Sequence, residues 1–209
     1  MARYTGPVCR LCRRERMKLF LKGERALNGK SALERRGPVP PGQHGNARRR
    51  RPSIYAEQLR AKQRAKRYYG VREAQFRKYV REAAKKGITG EELLRLLERR
   101  LDNVVYSLGF ASSRAQARQL VRHGHFSVDG RKITIPSFQV REGQSIVVKE
   151  NSKKNDFIRA AVESARGRGI PDWLELNAET FAGKVLTLPK REDIKLPVQE
   201  QLIVELYSR

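Results

Sequence analysis

Cysteine is nearly absent from this chain: Cys9 and Cys12 are the whole complement, too close together to staple a fold, so no disulfide framework is implied. Histidine is scarce as well, with His44, His123 and His125 alone, which leaves few candidates for general acid–base work. No apolar run is long enough to span a bilayer, and no basic start, apolar core and small-residue cleavage site marks a secretory signal. A membrane is therefore not an expected partner. Neither a G-x-x-x-x-G-K-[ST] phosphate loop nor a G-x-S-x-G nucleophile elbow occurs. Paired acids such as Glu91 and Glu92 fit helix starts, where carboxylates complement the macrodipole. With no catalytic constellation, the chain is not expected to be an enzyme.

Acidic residues are also few, 22 against 46 Lys and Arg, and the formal net charge of +24 exceeds what solubility needs. A polyanion is the expected partner. The excess is polarised: residues 1–100 hold 29 basic and 9 acidic side chains, net +20, whereas residues 101–209 hold 17 and 13, net +4. A soluble cytosolic protein that binds nucleic acid is the simplest class that fits.

Residues 1–52 contain Gly-Pro, Pro-Pro-Gly and the run Arg48 to Arg51 with few periodic apolar positions, and read as an extended basic arm that orders on its partner. From Ser53 the pattern turns helical. Ile54, Leu59 and Ala65 recur at near-helical spacing up to Gly70, and Arg60, Lys62, Arg64, Lys66 and Arg67 crowd the surface. A second helix is expected from about Arg72 to Lys86 on the stripe Phe76, Val80 and Ala83 or Ala84. A third opens on the T-x-x-E capping box of Thr89 and Glu92 and runs through Leu93, Leu97, Leu101, Val104, Val105 and Leu108 to Gly109. Further on, Ile133 and Ile135, Phe138 and Val140, and Ile146 to Val148 alternate as a small, mostly antiparallel sheet. Lys153 to Arg166 returns to helix, Trp173 and Leu174 open an irregular segment, Lys184 to Leu188 reads as a strand and Val198 to Tyr207 as a final amphipathic element.

The most informative stretch is residues 112–130, SSRAQARQLVRHGHFSVDG. Ser113 and Gln116 have capping-box spacing and Gly124 suits a C′ position, which predicts a short helix between them. At about 100° per residue, Arg114, Arg118 and Arg122 lie within an arc of roughly 80°, beside an arc of Ala117, Leu120 and Val121 that can face a core. His123 and His125 follow at the exit, and Phe126, Val128, Asp129 and Gly130 read as a strand running into a D-G hairpin turn. Guanidinium forks match phosphate oxygens bidentately, and each neutralised phosphate releases counterions. Arg118→Glu is expected to weaken nucleic-acid binding and leave the fold intact. RNA is favoured over DNA because the basic surface spreads over an arm, several helices and a sheet edge instead of one groove-reading helix.

Residues 100–130, RLDNVVYSLGFASSRAQARQLVRHGHFSVDG, with the following IPSFQV, closely resemble the signature of the ribosomal protein four family of bacterial small subunits. PPGQHG at residues 40–45, the opening RYTGPVCRLCRRE and the ending LIVELYSR resemble the same family, so the likeness covers essentially the whole chain. Similar RNA-binding modules are attached to some pseudouridine synthases, tyrosyl-tRNA synthetases and a heat-shock ribosome factor, whose catalytic domains would not fit in the remainder here. The resemblance implies an α+β architecture: an extended basic N-terminal arm (1–52), a helical domain (53–98, completed by 198–208), a helix-helix-hairpin RNA-binding module with helices packed on a mostly antiparallel sheet (99–162), and a C-terminal extension packing on both domains (163–209).

The family's function implies a primary binder of small-subunit ribosomal RNA, a monomer within the ribosome, that nucleates assembly of the subunit body and influences decoding accuracy. It also implies contacts with small-subunit protein five and with messenger RNA where it enters, and in some members repression of the protein's own operon. RNA contacts are then expected from Arg3, Arg10, Arg13, Arg14, Arg35, Arg36, Gln43, His44, Arg48, Arg49, Arg50 and Arg51 in the arm. In the helical domain they are expected from Arg60, Lys62, Arg64, Lys66, Arg67 and Arg72. Ser113, Arg114, Arg118, Arg122, His123, His125 and Arg131 are expected to carry them in the module. A ribosome-associated rescue or transfer-RNA-binding factor using the same module is the alternative.

Cys9 and Cys12 form a C-x-x-C that invites zinc, but a closed site needs four ligands and His44 could supply at most a third. Zinc-binding members of the family carry two further cysteines where this chain has Ala26 and Ser31. The resemblance therefore implies a remnant pair and no cofactor.

Overall fold

The computed structural model describes residues 3–47, 51–165, 167 and 169–208, and the chain divides into two compact units, residues 1–93 with 196–209 and residues 94–195. Arg48, Arg49 and Arg50, expected to contact RNA, lie outside the described residues.

The first unit is helical. Its amino-terminal segment departs from the expected extended arm: it forms short helices α1 (Cys9–Glu15), α2 (Glu24–Leu27) and α3 (Ala32–Arg36), followed by a 3-10 turn at Gln43–Asn46. Leu19 is completely buried and Ala26 nearly so, so the apolar residues interrupting the basic run supply a small core of their own. Ser31 and Glu34 make a reciprocal capping box at α3, and Arg13 donates to the carbonyls of Val39 at 2.8 Å and Pro40 at 3.3 Å. These side-chain to backbone bonds satisfy groups that irregular chain would otherwise leave to water.

Helix α4 (Ile54–Tyr68) is capped by Ser53, whose hydroxyl accepts from the Ala56 N–H. Its buried face differs from the one expected. Ala65 is buried as expected, but Ile54 is 67% exposed, and Gln58, Ala61 and Lys62 are buried instead. That face is i, i+3, i+4, i+7 like an apolar stripe, but small and polar residues occupy it because they have partners. The final helix α11 (Glu200–Tyr207) packs there, and Gln58 Nε2 donates to Glu205 at 2.9 Å. Helix α5 (Glu73–Ala83) buries Phe76, Tyr79, Val80 and Ala83, and Phe76 stacks on Tyr207 with ring centroids 6.3 Å apart. Glu73 receives Lys62 and Lys66 at 2.9 Å each and the Tyr207 hydroxyl at 2.8 Å, tying α4, α5 and α11 together.

The expected third helix is two helices, α6 (Thr89–Glu98) and α7 (Leu101–Ser107). Thr89 lies inside α6 rather than capping it. The break falls at Arg100, whose backbone is extended (φ −64°, ψ 134°) and bridges to Gln139. Across the break the Leu101 N–H donates to the Phe138 carbonyl at 2.9 Å and the Asp102 N–H to the Pro136 carbonyl at 3.1 Å. Leu97 and Leu101 keep i, i+4 spacing through the interruption, so the periodicity alone hides it.

In the second unit α7 and helix α8 (Arg114–His123) cover a five-stranded antiparallel sheet of β1 (Phe126–Val128), β2 (Arg131–Lys132), β3 (Ser145–Val148), β4 (Leu174–Asn177) and β5 (Ala182–Val185), ordered β2-β1-β3-β5-β4. The chain between β3 and β4 adds α9 (Glu150–Lys153) and α10 (Asp156–Ala165). The core gathers Val104, Leu108, Phe110, Leu120, Val121, Phe126, Ile146, Val162 and Trp173. Asp129 (φ 48°) and Gly130 (φ 77°) are consecutive left-handed residues, the type I′ geometry that matches strand twist.

One expectation for this unit is corrected. Ile133 to Val140 forms no strand: Ile135 is 56% exposed, and the backbone carbonyls of Pro136 and Phe138 are spent on the α6–α7 junction. Residues 163–195 belong to this unit and give the sheet β4 and β5, whereas 196–209 belong to the helical unit.

Candidate nucleic-acid interface

Helix α8 begins where its cap places it. The Ser113 hydroxyl accepts from the Gln116 N–H at 3.3 Å, while the Gln116 side chain reaches one residue beyond a capping box, to the Ser112 N–H at 2.8 Å. At the other end Gly124 takes the left-handed conformation (φ 76°), and its N–H and that of His125 close on Val121 and Leu120. Ala117, Leu120 and Val121 face the core. The arginine row is thereby set on the adjoining face.

The row is not three equivalent cations. Of the row only Arg122 is exposed, with the neighbouring His123. Arg114 is half-buried, lies 4.4 Å over the Tyr106 ring and donates through Nε to Asn103 Oδ1 at 2.8 Å. Asn103 in turn donates to the Glu98 carbonyl and carboxylate. Arg118 donates through Nη1 to Asp102 Oδ2 at 3.1 Å, and Asp102 also receives two bonds from the buried Arg100, at 3.0 and 2.6 Å. Burial lowers the pKa of the Arg118 guanidinium from its ordinary value, against the pull of Asp102. Arg114 and Arg118 are thus held in fixed geometry by residues of α7.

Around the exit of α8 further cations collect. His123 and His125 have ring centroids 6.1 Å apart, and His125 Nδ1 is hydrogen-bonded to Ser152 at 2.9 Å. Burial, and then the neighbouring His123 and Lys149, lower the His125 pKa below its ordinary value. Lys132, from β2, passes over Gly124, where a Cβ would lie 2.4 Å from its Cε. Arg131 is exposed beside it. Lys132 and Lys149 were not among the expected residues; strand pairing of β1 with β2 and β3 brings Lys132 over Gly124 and Lys149 to His125, and no linear spacing announces that.

In the helical unit the expected contact residues divide in two. Arg3, Arg10, Arg14, Arg35, Arg36, Gln43, His44, Arg51 and Arg72 are exposed, whereas Arg13 holds the Val39–Pro40 carbonyls. Lys62 and Lys66 are committed to Glu73. Arg60, Arg64 and Arg67 surround one carboxylate, Glu15, whose side chain is wholly buried. Cys9, Cys12, Ala26 and Ser31 line one small, mainly apolar pocket, and burial pushes the Cys12 thiol up from its ordinary pKa.

Two family models cover this surface: the ribosomal protein S4/S9 N-terminal domain over residues 3–98 and the S4 domain over residues 99–146. The chain is 60% identical to small ribosomal subunit protein uS4 of Geotalea daltonii over 210 residues, all of both chains. It is 59% identical over the same full span to the uS4 proteins of Thermus thermophilus and Desulfitobacterium hafniense. The chain belongs to the uS4 family. Membership of that family makes it a structural protein of the small ribosomal subunit, in the cytoplasm, and the uS4 proteins are not an enzyme family. Among the described residues no helix is long and apolar enough to cross a membrane. The S4 domain match includes the whole of α7, α8 and the β1–β2 hairpin, so the arginine row of α8 lies inside the uS4 RNA-binding domain.

Proposed function

We infer that this protein is a primary binder of small-subunit ribosomal RNA, a monomer within the ribosome, that nucleates assembly of the subunit body. The observation that carries the reading is the fixed geometry of Arg114 and Arg118, held by the protein's own Asn103, Tyr106 and Asp102. A surface ordered in advance loses less entropy on binding, as a protein that joins unassembled RNA requires. The exposed cations of the amino-terminal segment add sequence-independent affinity.

Contacts with small-subunit protein five and with messenger RNA where it enters the subunit, and an influence on decoding accuracy, are part of the same reading, which family membership supports. Repression of the protein's own operon would use the same surface on a messenger segment folded like its ribosomal target. No zinc takes part: Ser31 spends its hydroxyl on the α3 cap, Ala26 offers no donor, and partial burial raises the pKa of the Cys12 thiol, against the deprotonation that ligation needs. One stoichiometric zinc per small subunit would refute this.

Crosslinking in intact ribosomes, with the RNA positions mapped, tests the main reading. Contacts across a multi-helix junction of small-subunit RNA are expected. Contacts confined to transfer RNA or to the large subunit would replace it with a rescue or transfer-RNA factor.

A further inference from the structure

Glu15 is the last residue of α1, where a carboxylate opposes the helix dipole, and its side chain is completely buried. Neither local helix stability nor solubility accounts for it. What surrounds it is Arg60, Arg64 and Arg67, at i, i+4 and i+7 on one face of α4, where three like charges repel one another. Arg60 Nη1 donates to Glu15 Oε1 at 3.0 Å and Arg67 Nη1 donates to the same oxygen, while Arg64 Nε stands 3.7 Å from Oε2, too far for a hydrogen bond. One carboxylate against three guanidinium groups leaves two positive charges uncompensated. Arg14 adds to the field at Arg67. Each of the three side chains keeps an exposed part, 27%, 38% and 22% for Arg60, Arg64 and Arg67. The cluster is anchored on its inner side and open on its outer side.

We propose that Glu15 is a positioning residue that locks Arg60 and Arg67, with Arg64 held beside them by charge alone, into one receptor for adjacent RNA phosphates. In Arg60 and Arg67 an inner N–H is spent on the carboxylate, which fixes the guanidinium planes, and the outer N–H groups are left to the ligand as forks. The two surplus charges match two phosphodiesters. Arg64, with Nε buried and unbonded, is the member that moves onto the ligand. The inference rests on the reading of the protein as a ribosomal RNA binder and adds a buried acid to its machinery.

The sign of one substitution decides it. Glu15→Gln removes a negative charge beside the RNA, so a carboxylate acting only as counter-charge predicts tighter binding. Positioning predicts the reverse: at least tenfold weaker binding of the full-length protein to small-subunit ribosomal RNA in filter assays, with the slope of log K against log salt shallower by about 0.7 for each phosphate lost. Arg67→Lys keeps the charge and removes the fork, and is expected to weaken binding about fivefold. Unchanged or tighter binding by Glu15→Gln, folded by circular dichroism, overturns the proposal; if that variant does not fold, unchanged binding by Arg67→Lys does. Failure of the wild-type protein to bind this RNA would instead overturn the functional reading.

Discussion

Arg118 on α8 and Asp102 on α7 form a largely buried ion pair at 3.1 Å, with the Asp102 side chain 5% exposed and the Arg118 side chain 12% exposed. The residue at the centre of the arginine row is therefore also a tie between the two helices that cover the sheet.

Arg118→Glu consequently does more than the sequence suggests. It sets a carboxylate against buried Asp102, and breaking such a pair costs about 3–5 kcal/mol. Chemical denaturation should show that loss. Arg122→Glu is the cleaner probe of binding, because Arg122 is exposed and its replacement should leave stability within about 0.5 kcal/mol. RNA affinity should fall about tenfold in filter binding; full affinity would remove Arg122 from the interface.

Glu73 makes the helical unit acid-sensitive. Burial alone would raise its pKa, but hydrogen bonds from Lys66, Lys62 and Tyr207 prevail and hold it at about 2. Burial and the Glu73 carboxylate push the Tyr207 hydroxyl up from its ordinary value. A depressed carboxylate stabilises the fold above its unfolded pKa, here 4.5, and that contribution fades as pH falls toward about 2. Thermal melts from pH 6 to pH 2 should show a decline that Glu73→Gln flattens.

His125 links RNA binding to protons. Its pKa is lowered by burial, His123 and Lys149, so the folded protein carries it neutral near pH 7, and its stabilising effect is lost as pH falls below the ordinary value of 6.5. An RNA phosphate at this exit reverses the balance and favours the charged ring. Binding should therefore strengthen from pH 7.5 to pH 5.5 and take up a proton measurable by calorimetry in two buffers. The same pH response in His125→Gln would exclude the residue.

Gly183 on β5 meets Leu108, the residue that ends α7 as its C-cap, so closely that a Cβ would lie 2.5 Å from its Cδ1. Gly183→Ala should destabilise the second unit by about 1–3 kcal/mol through overpacking, read as a lower denaturation midpoint. A midpoint unchanged from wild type would mean that α7 shifts without penalty.

Much of the local structure was legible in the chain. Ser113, Gly124 and Asp129-Gly130 mark a helix start, a helix stop and a hairpin, because caps and turns depend on a few adjacent residues whose φ, ψ and hydrogen bonds are set locally. The break at Arg100 was not legible. Its donors are paid for by carbonyls from Pro136 and Phe138, some 36 residues away in the chain. The same holds for the amino-terminal segment, whose low periodicity reads as an arm although Leu19 and Glu15 are buried in it.

By itself the sequence determined that the protein carries a large, polarised positive charge, no catalytic constellation and a capped helix with three arginines on one face, since charge, residue type and helical angle need no tertiary information. Only the tertiary structure decided which cations remain exposed and which are held. Asp102, Glu15 and Glu73 reach their arginines and lysines across separate helices or helix breaks, and an ion pair depends on distance in space, not on separation along the chain.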